Sequence, residues 1–186
     1  MLYLASKSPR RRKLLKLLNI PFKSFTVDVE ELLLDGEHPV KTVKRLSELK
    51  MQSAHKKIKD GIIITADTIV VLDKLVLGKP KDEKDAIKML AMLSGKTHTV
   101  YTGFTIFNKA INRKITDYAK TKVSFRNLDM DEIAQYVKSG SPLDKAGSYG
   151  IQDDYGALFV SRIDGCYYNV VGLPIAKLNS TLKLVM

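Results

Sequence analysis

A chain of 186 residues, 45% of them hydrophobic, is long enough to bury a core as one domain or as two lobes sharing a core. Its single cysteine, Cys166, excludes an internal disulfide, and no apolar run approaches the ~20 residues that span a bilayer. The net charge of +11 favours anionic partners (nucleic acid, nucleotides, phosphates), although lysines this dispersed equally suit a soluble surface.

In chain order, Leu2–Ala5 reads as a short buried strand. The N-terminus carries its positive charge after its apolar stretch, the reverse of a secretory signal, so a cytoplasmic protein is expected. Ser8-Pro9 opens a helix, with serine as N-cap and proline in the first turn; Leu14, Leu15, Leu17 and Leu18 form its apolar face. Phe22–Asp28 reads as a strand and Val40 to about Ile58 as a long helix. Ile62–Thr65 and Thr68–Leu72 are β-branched runs on either side of Ala66-Asp67. Asp82 caps a helix ending near Ser94-Gly95. Thr97–Phe107 and Lys114–Arg126 read as two long strands around a turn at 108–113. Asp129 and Glu132 form a capping box for a helix to about Lys138. A polar loop follows over 139–156, then a strand at Ala157–Ile163, a turn at Asp164-Gly165, and a last helix starting at Pro174. This alternation predicts an α/β fold with a mixed sheet.

Four places put polar residues where apolar ones belong. In the first helix, Arg10 and Arg11 fall within roughly 60° of the leucine direction, whereas Arg12 and Lys13 point away. A helix N-terminus offers free N–H groups, and arginine forks match phosphate, so Ser8, Arg10 and Arg11 read as a phosphate cradle or as snorkelling arginines on a basic surface. Lys50 lies within the stripe of Val40, Val43, Leu46, Ala54 and Ile58; it must meet an anion or reach water along its stem. Asp67 interrupts an eleven-residue apolar run, Ile62 to Leu72. It is either paired, metal-ligating or at a cleft mouth, or else it caps a tight turn. Strand alternation from Phe25 through Val27 and Val29 points Glu31 inward, although 30–37 also reads as a loop. Asp67 and Glu31 are natural oxygen ligands for Mg2+ or Mn2+. His38, His55 and His98 lack metal-ligand spacing, and Cys166 reads as a small buried residue. The absence of GxxxxGK[ST] and GxGxxG disfavours a kinase, a GTPase and a Rossmann dehydrogenase.

Six ordered blocks resemble the Maf family of nucleotide pyrophosphatases along nearly the whole chain. They are Leu4-Ala5-Ser6-Lys7-Ser8-Pro9-Arg10-Arg11, Ala66-Asp67-Thr68, Leu77-Gly78-Lys79-Pro80, Leu93-Ser94-Gly95-Lys96-Thr97-His98, Asp144 to Gln152, and Val170-Val171-Gly172-Leu173-Pro174. The resemblance implies a single Maf-like domain over 1–186: a curved mixed sheet flanked by helices, with two lobes and a central cleft, similar to the inosine triphosphate pyrophosphatases. It implies divalent-metal-dependent hydrolysis of a nucleoside triphosphate to the monophosphate and pyrophosphate, a house-cleaning of nucleotide pools. Asp67 would be the catalytic carboxylate, with Glu31, Lys50, Lys79 and Gln152 at other site positions. Arg10, Thr68 and Gln152 match the positions that set nucleobase preference. The opening Ser-Pro-Arg-Arg and the late Asp-Lys-Ala-Gly-Ser-Tyr-Gly-Ile-Gln match the subgroup acting on dTTP and UTP, not the sister subgroup that prefers 7-methyl-GTP. For such chemistry Arg10, Arg11, Lys50, Lys79 and Lys145 would supply positive charge to the leaving pyrophosphate, and Asp67 and Glu31 would hold metal and orient water. A homodimer is implied by resemblance only. The competing readings are a basic nucleic-acid-binding regulator of cell division, for which no helix-turn-helix, zinc finger or base-stacking motif is present, and the same chemistry on modified nucleotides.

Overall fold

The computed structural model describes residues 1–152 and 155–186. In chain order these form β1 (Leu2–Ala5), α1 (Pro9–Lys16), β2 (Phe22–Phe25), α2 (Pro39–Ala54), β3 (Ile62–Leu72), β4 (Leu75–Leu77) and α3 (Glu83–Leu93). There follow β5 (Thr97–Asn108), β6 (Arg113–Phe125), α4 (Met130–Lys138), β7 (Val160–Asp164), α5 (Tyr167–Val171) and α6 (Ile175–Lys183). The strands make one mixed sheet in the order β2-β1-β3-β5-β6-β7, with β4 also paired to β3. The α/β class with helices flanking a mixed sheet is as expected. The chain divides into two compact units. The first is Met1–Thr68, Thr102–Ala119 and Gly172–Met186; the second is Ile69–Tyr101 and Lys120–Val171. No helix among the described residues is long and apolar enough to cross a membrane.

In the first unit β1 is parallel to both its neighbours, pairing Leu2–Ala5 with Phe22–Phe25 and Leu2–Leu4 with Ile62–Ile64. β2 stops at Phe25, short of the expected Asp28, because β1 ends at Ala5 and offers no further partner; Ser6 N–H closes the ladder on Phe25 O at 2.9 Å. Ala5, Val27, Met51, Ala54 and Ile63 form a buried cluster, with Tyr3, Phe25, Ile58 and Phe107 packed against it. α2 starts one residue earlier than expected, with His38 as N-cap accepting from Val40 N–H. It ends at Ala54 instead of near Ile58. There Lys109 Nζ donates to the carbonyls of His55 (3.0 Å) and Ile58 (2.7 Å), supplying the positive charge and donors that a helix C-terminus lacks.

β5 approaches α2 backbone to backbone. A Cβ at Gly103 would lie 2.3 Å from Val43 O and 2.9 Å from Lys44 N, so only glycine admits this approach. The result is a helix held close over β3 and β5, with its polar underside satisfied by the sheet: Thr65 Oγ1 donates to Ser47 O (2.7 Å), and Ser47 Oγ meets Thr105 Oγ1 (3.0 Å).

β3 corrects the reading of two runs separated at Ala66-Asp67, for it is one continuous strand and no turn occurs there. In α1, Leu14 and Leu15 are buried, but the helix ends at Lys16 and Leu17 is exposed, so the four leucines do not form one face.

In the second unit β4 pairs antiparallel with β3 through a turn in which Asp73 takes φ 54°. α3 is capped by Asp82 and α4 by the expected Asp129/Glu132 capping box. The strand expected from Ala157 begins instead at Val160, because Gly156–Phe159 coil into a 3-10 turn that buries Phe159 completely. The predicted loop contains short 3-10 turns at Ser141–Asp144 and Ala146–Ser148; its positions 153–154 lie outside the described residues. α5 was not foreseen. Cys166, just before it, is half-buried, with its backbone N–H and carbonyl both bonded to Thr121 Oγ1.

An aromatic cluster lies within the second unit's core. His98, Phe125 and Tyr149 pack edge to face, with centroids 4.8 to 5.3 Å apart, and Phe159 and Tyr136 continue the cluster. His98 is a structural residue: its Nε2 bonds Tyr149 OH at 2.8 Å, and its Nδ1 is buried with no partner among the described residues. Burial lowers the His98 pKa from 6.5 to about 4 and raises that of Tyr149. The unfolded chain takes up the His98 proton near pH 6.5, while the folded chain resists until about 4. Stability tied to the neutral ring is therefore complete above pH 6.5 and is lost as pH falls toward 4, by up to roughly 3 kcal/mol. Urea unfolding at pH 7 and pH 4.5 should show that His98→Gln narrows the stability difference between the two conditions by about 2 kcal/mol.

Candidate active site

The site is built where β1 ends. Its ladder with β3 stops at Leu4↔Ile64, so β3 runs on to Asp67 and Thr68 without β1 beside it. At this end of the parallel strands the chain turns through Ser6–Ser8 into α1, the position where open α/β sheets characteristically bind ligands. Ser8 is the N-cap expected from the sequence; its Oγ accepts from Arg11 N–H at 3.4 Å.

Alternation along β3 sends Ile63, Thr65 and Asp67 to one face, toward α2. Ile63 joins the apolar cluster, Thr65 bonds Ser47 O, and Asp67 meets Lys50. Ser47 and Lys50 are three apart and so share a helix face. Asp67 and Lys50 are both buried, at 5% and 8% exposure, and Lys50 Nζ donates to Asp67 Oδ1 at 2.5 Å. The same ammonium lies 2.8 Å from Glu31 Oε1. Of the two open readings of Lys50, the structure selects the anion partner over the water-seeking stem. Of the two readings of Asp67, it removes the turn.

Of the two readings of the Glu31 segment, the structure selects the loop over the strand. Residues 26–38 contain no strand, so alternation does not aim Glu31. It sits on a loop anchored on one side by buried Val27 and on the other by Arg45, which bonds Leu32 O and Glu37. Its side chain is 39% exposed, so this carboxylate is the solvent-facing one of the pair.

Arg11 completes the group. Its Nη2 donates to Thr68 Oγ1 (2.9 Å), and its Nε donates to the carbonyl of Gly172 (2.8 Å). Gly172 takes φ +118°, a left-handed conformation suited to glycine, and this places its carbonyl on Arg11. Thr68 Oγ1 also meets Thr102 Oγ1 at 2.9 Å. Burial pushes the Arg11 guanidinium below its ordinary pKa, Asp67 and Glu31 pull it back up, and Arg10 adds to the lowering. It remains a cation at neutral pH. Thr102 and the Gly172 carbonyl were missed by sequence reasoning; the only trace of the latter was a glycine within a matching block. Arg10 is half-buried beside Arg11. Arg12 belongs to a separate open groove, where Arg12, Lys13 and Lys16 face Ile20, Pro21 and Phe22. The division between Arg11 and Arg12 drawn from the helical wheel is therefore the observed one.

Lys79, Lys145 and Gln152 belong to the second unit. Lys79 and Gln152 are exposed. Lys145 is buried against its own loop, with Nζ donating to Asp144 Oδ1 (2.7 Å), Ser141 Oγ (3.2 Å) and Ser141 O.

Residues 1–185 match the family described as Maf-like protein. The chain belongs to the Maf family. This Maf-family chain is 44% identical over 180 residues to a Clostridioides difficile protein named dTTP/UTP pyrophosphatase, covering 97% of this chain and 92% of the relative. It is 47% identical over 182 residues to the Carboxydothermus hydrogenoformans protein of the same name, covering 98% and 97%. A Thermoanaerobacter relative with that name is 49% identical over 181 residues, covering 97% and 94%. In structure it is similar to the Staphylococcus aureus Ham1 protein, with a TM-score of 0.55 at 15% identity over 100% and 99% of the two chains. A Coxiella burnetii HAM1 protein gives a TM-score of 0.52 at 12% identity over 98% of each chain. These two similarities establish the Maf chain's fold and nothing finer.

Lys50 separates two carboxylates that would otherwise face each other across its nitrogen. Lys50→Met should therefore leave the buried Asp67 carboxylate without its ammonium and lower stability by about 3 kcal/mol at pH 7, as loss of one partner of a buried ion pair does. The check is urea unfolding at pH 7, with Lys44→Met as the control.

Proposed function

We propose that this protein hydrolyses dTTP and UTP between the α- and β-phosphates, giving the nucleoside monophosphate and pyrophosphate. The observation that carries the reading is the buried Lys50–Asp67 pair, bridged to Glu31, in a chain nearly half identical to proteins named dTTP/UTP pyrophosphatase. Two carboxylates and two cations at the end of parallel strands form a polar centre that apolar packing alone would not favour.

In this reading Asp67 is the general base. It takes a proton from water, the water oxygen bonds to the α-phosphorus, and the bond from that phosphorus to the bridging oxygen breaks as pyrophosphate leaves. Lys50 holds the Asp67 carboxylate in place through Oδ1, so the base is oriented before substrate arrives. Arg10 and Arg11, at the N-terminal end of α1, meet the phosphates. Arg11 is itself fixed by Thr68 and Gly172, which favours a preset position over a searching one. Ser8 and Thr68 offer hydroxyls beside it. Lys79 and Gln152 keep, as part of this proposal, the site roles that the family resemblance implies, and Lys145 the supply of positive charge expected of it. Cytoplasmic housekeeping of nucleotide pools belongs to the same reading.

The donor set fits a divalent cation of the Mg2+ or Mn2+ type. Among the described residues no three His, Cys, Asp or Glu side chains come together. Asp67 and Glu31 would thus be two protein ligands, with water and substrate phosphates supplying the rest, the usual pattern for Mg2+. A bound cation of this kind would neutralise charge on the departing pyrophosphate.

The purified protein with Mg2+ or Mn2+ should release pyrophosphate from dTTP and UTP in preference to purine triphosphates and 7-methyl-GTP. Orthophosphate as the first product overturns the reaction type, and a purine preference overturns the substrate. Asp67→Asn should lower turnover at least about 100-fold while circular dichroism stays that of the parent; near-normal turnover would move the base to Glu31. A second comparison tests the two faces of α1. Arg11→Ala should depress kcat/KM by roughly 30- to 1000-fold, and Arg12→Ala should barely change it. Equal small effects would remove the arginine cradle.

A further inference from the structure

We infer that Arg45 is a positioning residue: by clamping the loop between Val29 and His38 onto α2, it holds the Glu31 carboxylate on Lys50. The inference rests on the proposed role of Glu31 at the catalytic centre.

Glu31 has no regular structure to aim it. Its loop is also poor in apolar anchors: Leu32, Leu33 and Leu34, which immediately follow, are 54%, 44% and 52% exposed. Three leucines facing solvent cannot fix the backbone by burial. What fixes it is a guanidinium. Arg45 Nη2 donates to Leu32 O, one residue after Glu31, at 2.9 Å. Its Nε and Nη2 grip the Glu37 carboxylate at 3.0, 3.1 and 2.7 Å. The Glu37 side chain is 5% exposed and the Arg45 side chain 30%, so the pair is partly shielded from water and from screening. Hydrogen bonding to Arg45 holds Glu37 below the ordinary carboxylate pKa, and Glu37 raises Arg45 in turn.

The geometry of guanidinium is what the task needs. One planar fork bonds a carbonyl and a carboxylate together, and so spans the loop from residue 32 to residue 37; a lysine ammonium would not hold both in a fixed plane. Arg45 and Lys50 ride on the same helix, five residues apart, so the loop is referenced to the same rigid element that carries the ammonium Glu31 must meet.

The test is a double-mutant cycle on kcat for dTTP with Mg2+. Arg45→Met alone takes the guanidinium from the Glu37 carboxylate, so the clamp is removed with the pair Arg45→Met/Glu37→Gln, and Arg45→Lys serves as the conservative variant. In the Glu31 background, clamp removal should lower kcat about tenfold, with Arg45→Lys intermediate. In the Glu31→Gln background it should change kcat less than twofold. Hydrogen exchange over residues 29–37 should rise at least tenfold in the clamp-free protein, with exchange in β3 unchanged. Equal losses in both backgrounds overturn the inference, because Arg45 would then act other than through Glu31. Unchanged exchange over 29–37 overturns it as well, independently of activity. A parent protein that releases no pyrophosphate while exchange rises as stated would instead sink the proposed function and leave the clamp standing as a structural feature.

Discussion

A lysine ammonium held between two carboxylates is the constraint around which the first unit is organised. Lys50 is buried, and a buried ammonium without a partner is among the most destabilising groups a fold can contain. Asp67 removes that penalty at 2.5 Å and Glu31 at 2.8 Å. Three pieces of chain must then agree in position: α2 carrying Lys50, β3 carrying Asp67, and the loop carrying Glu31. Each agreement has its own device. The helix meets the strand through Ser47 and Thr65, and the loop meets the helix through Arg45.

The same logic extends outward from the pair. Arg11 stands beside two carboxylates, which offset its burial, and it spends its fork on Thr68 and the Gly172 carbonyl. A guanidinium with two fixed partners does not have to be ordered when a phosphate arrives, and ordering a free arginine costs about 2 kcal/mol of rotamer freedom. The proposed site would thus be preset by contacts within the chain itself.

How much of this could be read from the sequence depended on the kind of signal. Lys50 and Asp67 stood out because each broke an apolar pattern, and burial of charge is rare enough to be informative. Arg11 and Arg12 separated on the helical wheel because α1 is regular there. For Glu31 the loop reading of 30–37 is the observed one and strand alternation is not, because no strand continues past Phe25; the family resemblance singles it out as well. Arg45, Glu37 and Thr102 gave no signal, and the Gly172 carbonyl only the trace of a glycine within a matching block. A surface-looking Arg–Glu pair eight residues apart has no periodic signature, and a backbone carbonyl has no side chain at all. Ala66-Asp67 misled in the opposite direction: the carboxylate appeared to divide β3, whereas its pairing with Lys50 allows the strand to pass through unbroken. His98, within a family-matching block, is a packing residue of the aromatic core, which shows that membership of a motif does not distinguish chemistry from architecture.

Gly103 has a mechanical consequence. Most helices rest on a sheet through a layer of side chains, and such a layer is compliant: rotamers change, and the spacing drifts by tenths of an ångström as residues are exchanged. Where β5 meets α2 that layer is missing, and the spacing is set by the contact of Val43 O with a backbone that lacks a Cβ. The stop is hard. Changes in the surrounding apolar core can therefore press α2 no closer to β5 than this contact, which limits how far the helix carrying Ser47 and Lys50 can move toward the sheet.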